Sequence, residues 1–219
     1  RELARGRHFQ VIVGVLNRLQ QELELPVQTG LLSRLIGKKA QSPRGVYLWG
    51  GVGRGKSMLM DLFAQCLAIQ GKRRVHFHAF MLEIHDRLHR RRQARAEADP
   101  IGPVAREIAA EARLLCFDEF FVQDIADAML LAGLLDALFE RGVVLVTTSN
   151  IQPDGLYRNG LQRARFLPAI ALLNAQTKVV EIRSGIDYRL RSLEQATLYH
   201  SPDDAQARSA MLASLHELV

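Results

Sequence analysis

The sequence predicts an α/β domain with a doubly wound parallel sheet, on three observations. Short apolar runs such as "GVYLW", "LLCFDEF", "VVLVTTSN" and "TKVVEI" alternate with longer segments of helical periodicity. A glycine-rich loop, "GGVGRGKS", joins the first run to a helix, and two later runs end in carboxylates and in an amide. Short bulky runs bounded by turn residues suit strands buried on both faces, and their alternation with helices implies parallel strands joined by crossovers.

Residues 8 to 24 carry Phe9, Ile12, Val13, Leu16 and Leu19 at helical spacing, and Pro26 stops that pattern. A polar segment with Gly37, Ser42 and Pro43 leads to the strand "GVYLW" and its loop. Residues 56 to 70 read as a helix closed by Gly71, and "RVHFH" reads as a strand with His76 and His78 on one face. A long basic helix then runs to about Arg95, "DPIGP" breaks the chain, and a helix over "VAREIAAEA" precedes the strand "LLCFDEF". Asp124 is placed to cap the helix "IADAMLLAGLLDALFER", which Gly142 terminates, and "VVLVTTSN" is the next strand. The segment "PDGLYRNGLQRARFLPAIALL" reads as helical on either side of Pro168, and "TKVVEI" as a fifth strand. A basic turn, "DYRLR", and a final helix complete the expected elements. The division expected is a helical extension over residues 1–43, a nucleotide-binding α/β domain over 44–186 and the start of a helical lid over 187–219.

With 219 residues and 48% hydrophobic content the chain can fill a sizeable core, which excludes disorder as its main state. It opens at Arg1 and ends on a linker and one helix, so it is expected to be a fragment of a longer protein. No apolar run approaches the roughly 18 to 20 residues that span a bilayer, and "VIVGVL" is too short for a signal peptide, so a soluble intracellular protein is expected. Cys66 and Cys116 are expected to be reduced core thiols. The formal charge of +6 is local: residues 72–95 hold eight Lys or Arg against Glu83 and Asp86, while the rest balances at 21 of each sign. Such an element could meet nucleic acid, acidic protein or an anionic membrane surface.

The loop over Gly50, Gly51, Val52, Gly53, Arg54, Gly55, Lys56, Ser57 and Met58 fits G-x-x-x-x-G-K-[ST] between a strand and a helix. Phosphate oxygens need inward-turned backbone N–H groups with no side chains in the way, at the positive end of a helix. Lys56 is then expected against the β- and γ-phosphates, with the Ser57 hydroxyl on Mg²⁺. Sixty-two residues after Lys56 come Asp118 and Glu119 at a strand end. The first suits a metal-holding carboxylate and the second a general base for an attacking water. Asn150 ends a strand expected beside that of Asp118, where an amide could orient the water. His76 and His78, and His85 and His89 four apart on a helix, have no carboxylate cluster beside them; packing or partner contact is the better reading than a metal site.

The succession "GVYLWGGVGRGKS", "HFHAFM", "CFDEFFVQDIADAMLL", "TTSN" and "LYRNGLQRARFLPAI", covering roughly residues 43 to 191, resembles the AAA+ ATPases of the ZapE and AFG type. The resemblance implies a P-loop NTPase of three layers, α/β/α, with ATP and Mg²⁺ as cofactors and self-assembly into an oligomer. It implies Walker A at residues 50–57, Walker B at Asp118 and Glu119, and sensor 1 at Asn150. It also implies an arginine supplied to the neighbouring subunit's site, for which Arg158, Arg163 and Arg165 are candidates. If "LQRARF" is helical, Arg163 and Arg165 lie about 200° apart; Arg165, followed by Phe, is more similar to the finger position, with Arg163 second. Arg189 and Arg191 stand where the lid, short at 28 further residues, is expected to begin. By the same resemblance the client is the division-ring protein FtsZ, near the inner membrane and in the bacterial cytoplasm, with a mitochondrial location if the chain is of the eukaryotic branch. A helicase loader using residues 72–95 as a basic arm on DNA or RNA, and a small-molecule kinase, are the alternatives. Phe77 and Phe80 read as core residues rather than base-stacking ones, and the acid pair with Asn150 fits water activation better than an acceptor pocket.

Overall fold

A computed structural model describes residues 2–25, 42–94 and 100–183. Five parallel strands form one sheet: β1 (Gly45–Trp49), β2 (Lys72–His76), β3 (Leu114–Asp118), β4 (Val144–Ser149) and β5 (Thr177–Glu181), in the order β2-β3-β4-β1-β5. Parallel neighbours require helical crossovers. These are α2 (Lys56–Cys66) between β1 and β2, α3 (Phe77–Ala94) and α4 (Ile101–Glu111) before β3, α5 (Ile125–Glu140) before β4, and α6 (Leu167–Gln176) before β5. The leading helix α1 spans Glu2–Glu24, six residues earlier than its periodicity suggests.

The period-two alternation of strands sorts their side chains between two cores. Val46, Leu48, Leu114, Cys116, Val144 and Val146 pack with Ile12, Leu16, Leu19 and Leu23 of α1 and Leu59, Met60 and Phe63 of α2. Tyr47, Leu115, Phe117 and Leu145 face the opposite way, onto α3 through α6. The result is the three-layer α/β/α sandwich, and α1 shares its core rather than standing apart.

Several elements differ from the pattern in the sequence. The chain leaves β2 at His76 and is helical from Phe77, so His76 and His78 do not share a strand face. Phe77, Phe80, Met81, Ile84 and Leu88 are all buried at helical spacing, and that burial outweighs the alternation of "RVHFH". Helix α2 ends at Cys66, capped by the Leu67 N–H on the Phe63 carbonyl. Gly71, at φ +69°, instead forms the turn into β2, its carbonyl accepting the Arg113 and Leu114 N–H groups. Residues 153–165 hold two 3₁₀ turns, Pro153–Gly155 and Arg163–Arg165, where helix was expected, because Tyr157 (φ 50°) and Gln162 (φ 57°) turn left-handed between them. Pro168 sits in the first turn of α6, where its missing N–H costs nothing. Cys116 is buried but Cys66 is exposed, so only one of the two thiols belongs to the core. The expected lid, with Arg189 and Arg191, lies outside the described residues.

Asp124 caps α5, its carboxylate accepting from the Ala126 N–H at 2.6 Å and the Asp127 N–H at 3.4 Å. Asp124→Ala is expected to lower unfolding free energy by about 1 kcal/mol, read as a lower urea midpoint with an unchanged slope.

Candidate active site

Because the strands are parallel, the carboxyl ends of β3, β4 and β1 lie side by side, and a doubly wound sheet binds ligands beyond such ends. Gly50 leaves β1 at φ +151°, and a Cβ there would lie 2.6 Å from the Ile182 carbonyl oxygen. Gly55, at φ +73°, begins α2 in the left-handed region, which only glycine enters without penalty. Lys56 is buried at 9% exposure, and its Nζ donates to the Gly50 carbonyl (2.8 Å), the Gly51 carbonyl (2.7 Å) and Asn150 Oδ1 (2.9 Å). Arg54 folds back over the loop, where its guanidinium would crowd a Cβ at Gly51, and donates through Nη1 to the Ile182 carbonyl at 2.8 Å. Val52 and Met58 are exposed on the rim.

Opposite the loop, the Ser57 hydroxyl donates to Asp118 Oδ1 at 2.8 Å. The same oxygen accepts the Thr148 hydroxyl at 2.5 Å, and Asp118 Oδ2 accepts Arg74 Nη2 at 2.7 Å. Burial pushes the Asp118 carboxyl up. The Thr148 and Ser57 hydroxyls and the charges of Arg74 and His76 outweigh that push and hold it below its ordinary value. Glu119 stands next in chain, exposed, at φ +55°. Asn150 follows β4, the strand paired with β3, so strand order brings the amide and the acid pair to one edge.

A cleft of about 910 Å³ runs from residues 52–58 across Glu119 and Thr148 to Asn150, a size that suits a ligand of nucleotide dimensions. Its walls include neither Arg163 nor Arg165. Arg163 is tied back, Nη2 donating to the Asp154 carbonyl at 2.8 Å, whereas the Arg165 side chain is exposed and makes no polar contact with the described residues. Arg158 is exposed as well. In a 3₁₀ turn residues two apart are about 240° apart, so the two arginines still point to different sides.

Two members of the site carry no signal in the sequence pattern. Thr148 reads as an ordinary β-branched strand residue and Arg74 as one of a basic run. Histidines make no metal cluster among the described residues; His85 Nε2 pairs with Asp127 Oδ1 at 2.7 Å and His89 with Gln93 at 2.9 Å.

The family model of the AFG1-like ATPases matches residues 3–219. The chain belongs to that family. It is 52% identical over 193 residues to the cell division protein ZapE of Escherichia coli K12, covering 85% of this chain and 51% of that one. It is 47% identical over 189 residues to lactation elevated protein 1 homolog B of Danio rerio, covering 82% of this chain and 38% of that protein. The chain thus spans about half the length of the bacterial relative. Among solved structures the fold matches a DNA replication initiation factor, at TM-score 0.53, 13% identity and coverage of 97% and 59% of the two chains. It also matches a suspected primosome component of Streptococcus pyogenes serotype M3, at TM-score 0.52, 17% identity and coverage of 80% and 79%. The fold is that of the AAA+ P-loop ATPases, and no described helix is long and apolar enough to cross a membrane.

The basic element of this family member is largely neutralised where it sits. Arg73 pairs with Glu83, Arg87 with Glu83 at 2.7 Å and Glu111 at 2.9 Å, Arg91 with Glu107 and Arg90 with Asp86. The Arg73 hydrogen bond, opposed by burial and aided by Arg87, lowers the Glu83 carboxyl below its ordinary value of 4.5. A lowered carboxylate contributes stability that is complete above the ordinary value and is lost as pH falls through the lowered one. Thermal unfolding of Glu83→Gln is therefore expected to depend less on pH below 4.5 than that of the parent chain.

Proposed function

We propose that this chain is the nucleotide-binding part of a Mg²⁺-dependent ATPase that hydrolyses ATP at a site shared between subunits and uses it to remodel a protein client. The observation that carries this reading is the Ser57–Asp118 hydrogen bond at 2.8 Å, which joins the glycine loop to the acidic strand end. Paired with it is Lys56, buried among the loop carbonyls.

Ser57 Oγ and the Asp118 carboxylate are hard oxygen donors, the kind Mg²⁺ takes alongside waters and phosphate oxygens, so the donor set fits that ion. Bound there, Mg²⁺ would neutralise charge on the β- and γ-phosphates. Residues 50–57 wrap the phosphates with backbone N–H groups, and the Lys56 ammonium exchanges its carbonyl partners for phosphate oxygens. Glu119 accepts a proton from the attacking water as the water's oxygen bonds to the γ-phosphorus and the bond to ADP breaks. Asn150 orients that water, and Arg165 of a neighbouring copy stabilises the charge developing on the transferred group, with Arg163 as second choice.

Similarity to a cell division protein over 85% of the chain supports a protein client of the division machinery, FtsZ by resemblance. The ion pairs along α3 leave fewer unpaired cations for a DNA or RNA backbone, which favours a protein client over the helicase-loader alternative. The reading places the assembly in the cytoplasm, with a membrane-bound complex within reach.

Lys56→Ala is expected to abolish binding of a fluorescent ATP analogue. Glu119→Gln is expected to bind it normally while kcat falls by about 10²-fold or more; full turnover in that variant would remove Glu119 as the base. Mixing Lys56→Ala with Arg165→Ala chains is expected to recover part of the activity that each lacks. ATPase activity should rise cooperatively with protein concentration and respond to FtsZ but not to single-stranded DNA; the opposite pattern would favour the loader.

A further inference from the structure

Glu119 sits between two buried neighbours, Asp118 at 3% and Phe120 at 0% exposure, yet is itself exposed. Its φ of +55° lies in the left-handed region, which a glutamate does not choose unaided. The β3–β4 ladder stops at the Phe117–Thr147 pair, so regular strand pairing does not impose that conformation.

At the end of the ladder and beyond it, hydroxyls lace the two strands together. The Glu119 N–H donates to Thr148 Oγ1 at 3.1 Å and to Asp118 Oδ1 at 3.1 Å, and the Phe120 N–H donates to the Thr148 carbonyl at 2.8 Å. The Ser149 hydroxyl donates to the Phe120 carbonyl at 2.8 Å, and the Thr147 hydroxyl to the Phe117 carbonyl at 3.0 Å. Thr148 thus grips the backbone on both sides of the Glu119 side chain, through its hydroxyl at one amide and its carbonyl at the next. Phe120 is locked from the other direction by the Phe77 ring, at 4.3 Å between centroids.

We propose that Thr148 is a positioning residue for hydrolysis: its hydroxyl holds Glu119 in the left-handed conformation that turns the carboxylate out into the cleft, with the Ser149 hydroxyl securing the far side. The proposal rests on Glu119 being the base. Thr148→Val keeps the shape and removes the hydroxyl, whereas Thr148→Ser keeps the hydroxyl and removes the methyl.

The test compares kcat, affinity for a fluorescent ATP analogue and unfolding midpoint in the assembled full-length protein. Thr148→Val is expected to lower kcat by about tenfold to a hundredfold, with analogue affinity within about threefold. Thr148→Ser should restore kcat to near the parent value, and Thr148→Val should add nothing to Glu119→Gln. Full turnover in Thr148→Val while Glu119→Gln is inactive overturns the proposal and leaves the base assignment standing. Equal loss in Thr148→Ser, or a loss of affinity that matches the loss of turnover, also overturns it, because methyl packing or the Thr148–Asp118 bond would then be the cause. Full turnover in Glu119→Gln overturns the base assignment and this proposal with it. If Thr148→Val does not fold, Ser149→Ala carries the test: it is expected to lower kcat at unchanged analogue affinity, and an unchanged kcat overturns the proposal.

Discussion

Four partners converge on the carboxylate of Asp118. Ser57 brings the start of α2 to it, Thr148 brings β4, Arg74 brings the edge strand β2, and the Glu119 amide closes it from its own chain. A carboxylate this deeply buried is costly unless such partners are present. The geometry of the glycine loop against the strand ends is therefore fixed by one group's need for hydrogen bonds. Asp61, one turn along α2 from Ser57, holds Arg74 at 2.8 Å and so ties that helix to the same carboxylate a second time.

Much of this is legible in the sequence because it is local. The loop, the strand before it and the acid pair are each written within a dozen residues, and the short apolar runs that make β1, β3, β4 and β5 need no knowledge of partners. Asn150 is legible one step further out, since its place beside Asp118 depends on the order of two consecutive strands. Thr148 and Arg74 are not legible, because their bonds to Asp118 span 30 and 44 positions and their side chains have ordinary structural uses.

The boundary at His76 is hidden for a different reason. Alternating His and Phe satisfies a strand pattern over five residues, while the helical spacing of Phe77, Phe80, Met81, Ile84 and Leu88 emerges only over twelve. The turns around Arg163 depend on left-handed Tyr157 and Gln162, and neither residue type announces that conformation. The basic run looks like an open patch in the sequence because two of its carboxylate partners, Glu107 and Glu111, belong to another helix. In the fold those arginines fasten α3 to α4.

Arg54 gives the glycine loop a second attachment. Its guanidinium holds the carbonyl of Ile182, whose own N–H donates to the Trp49 carbonyl at 2.6 Å, so loop and departing chain are fastened to each other on both sides of the β1 exit. The glycine loop and the chain leaving β5 are therefore tied to each other rather than free to sit independently. The start of the loop and the residues just after β5 thus form one braced corner at that end of the sheet.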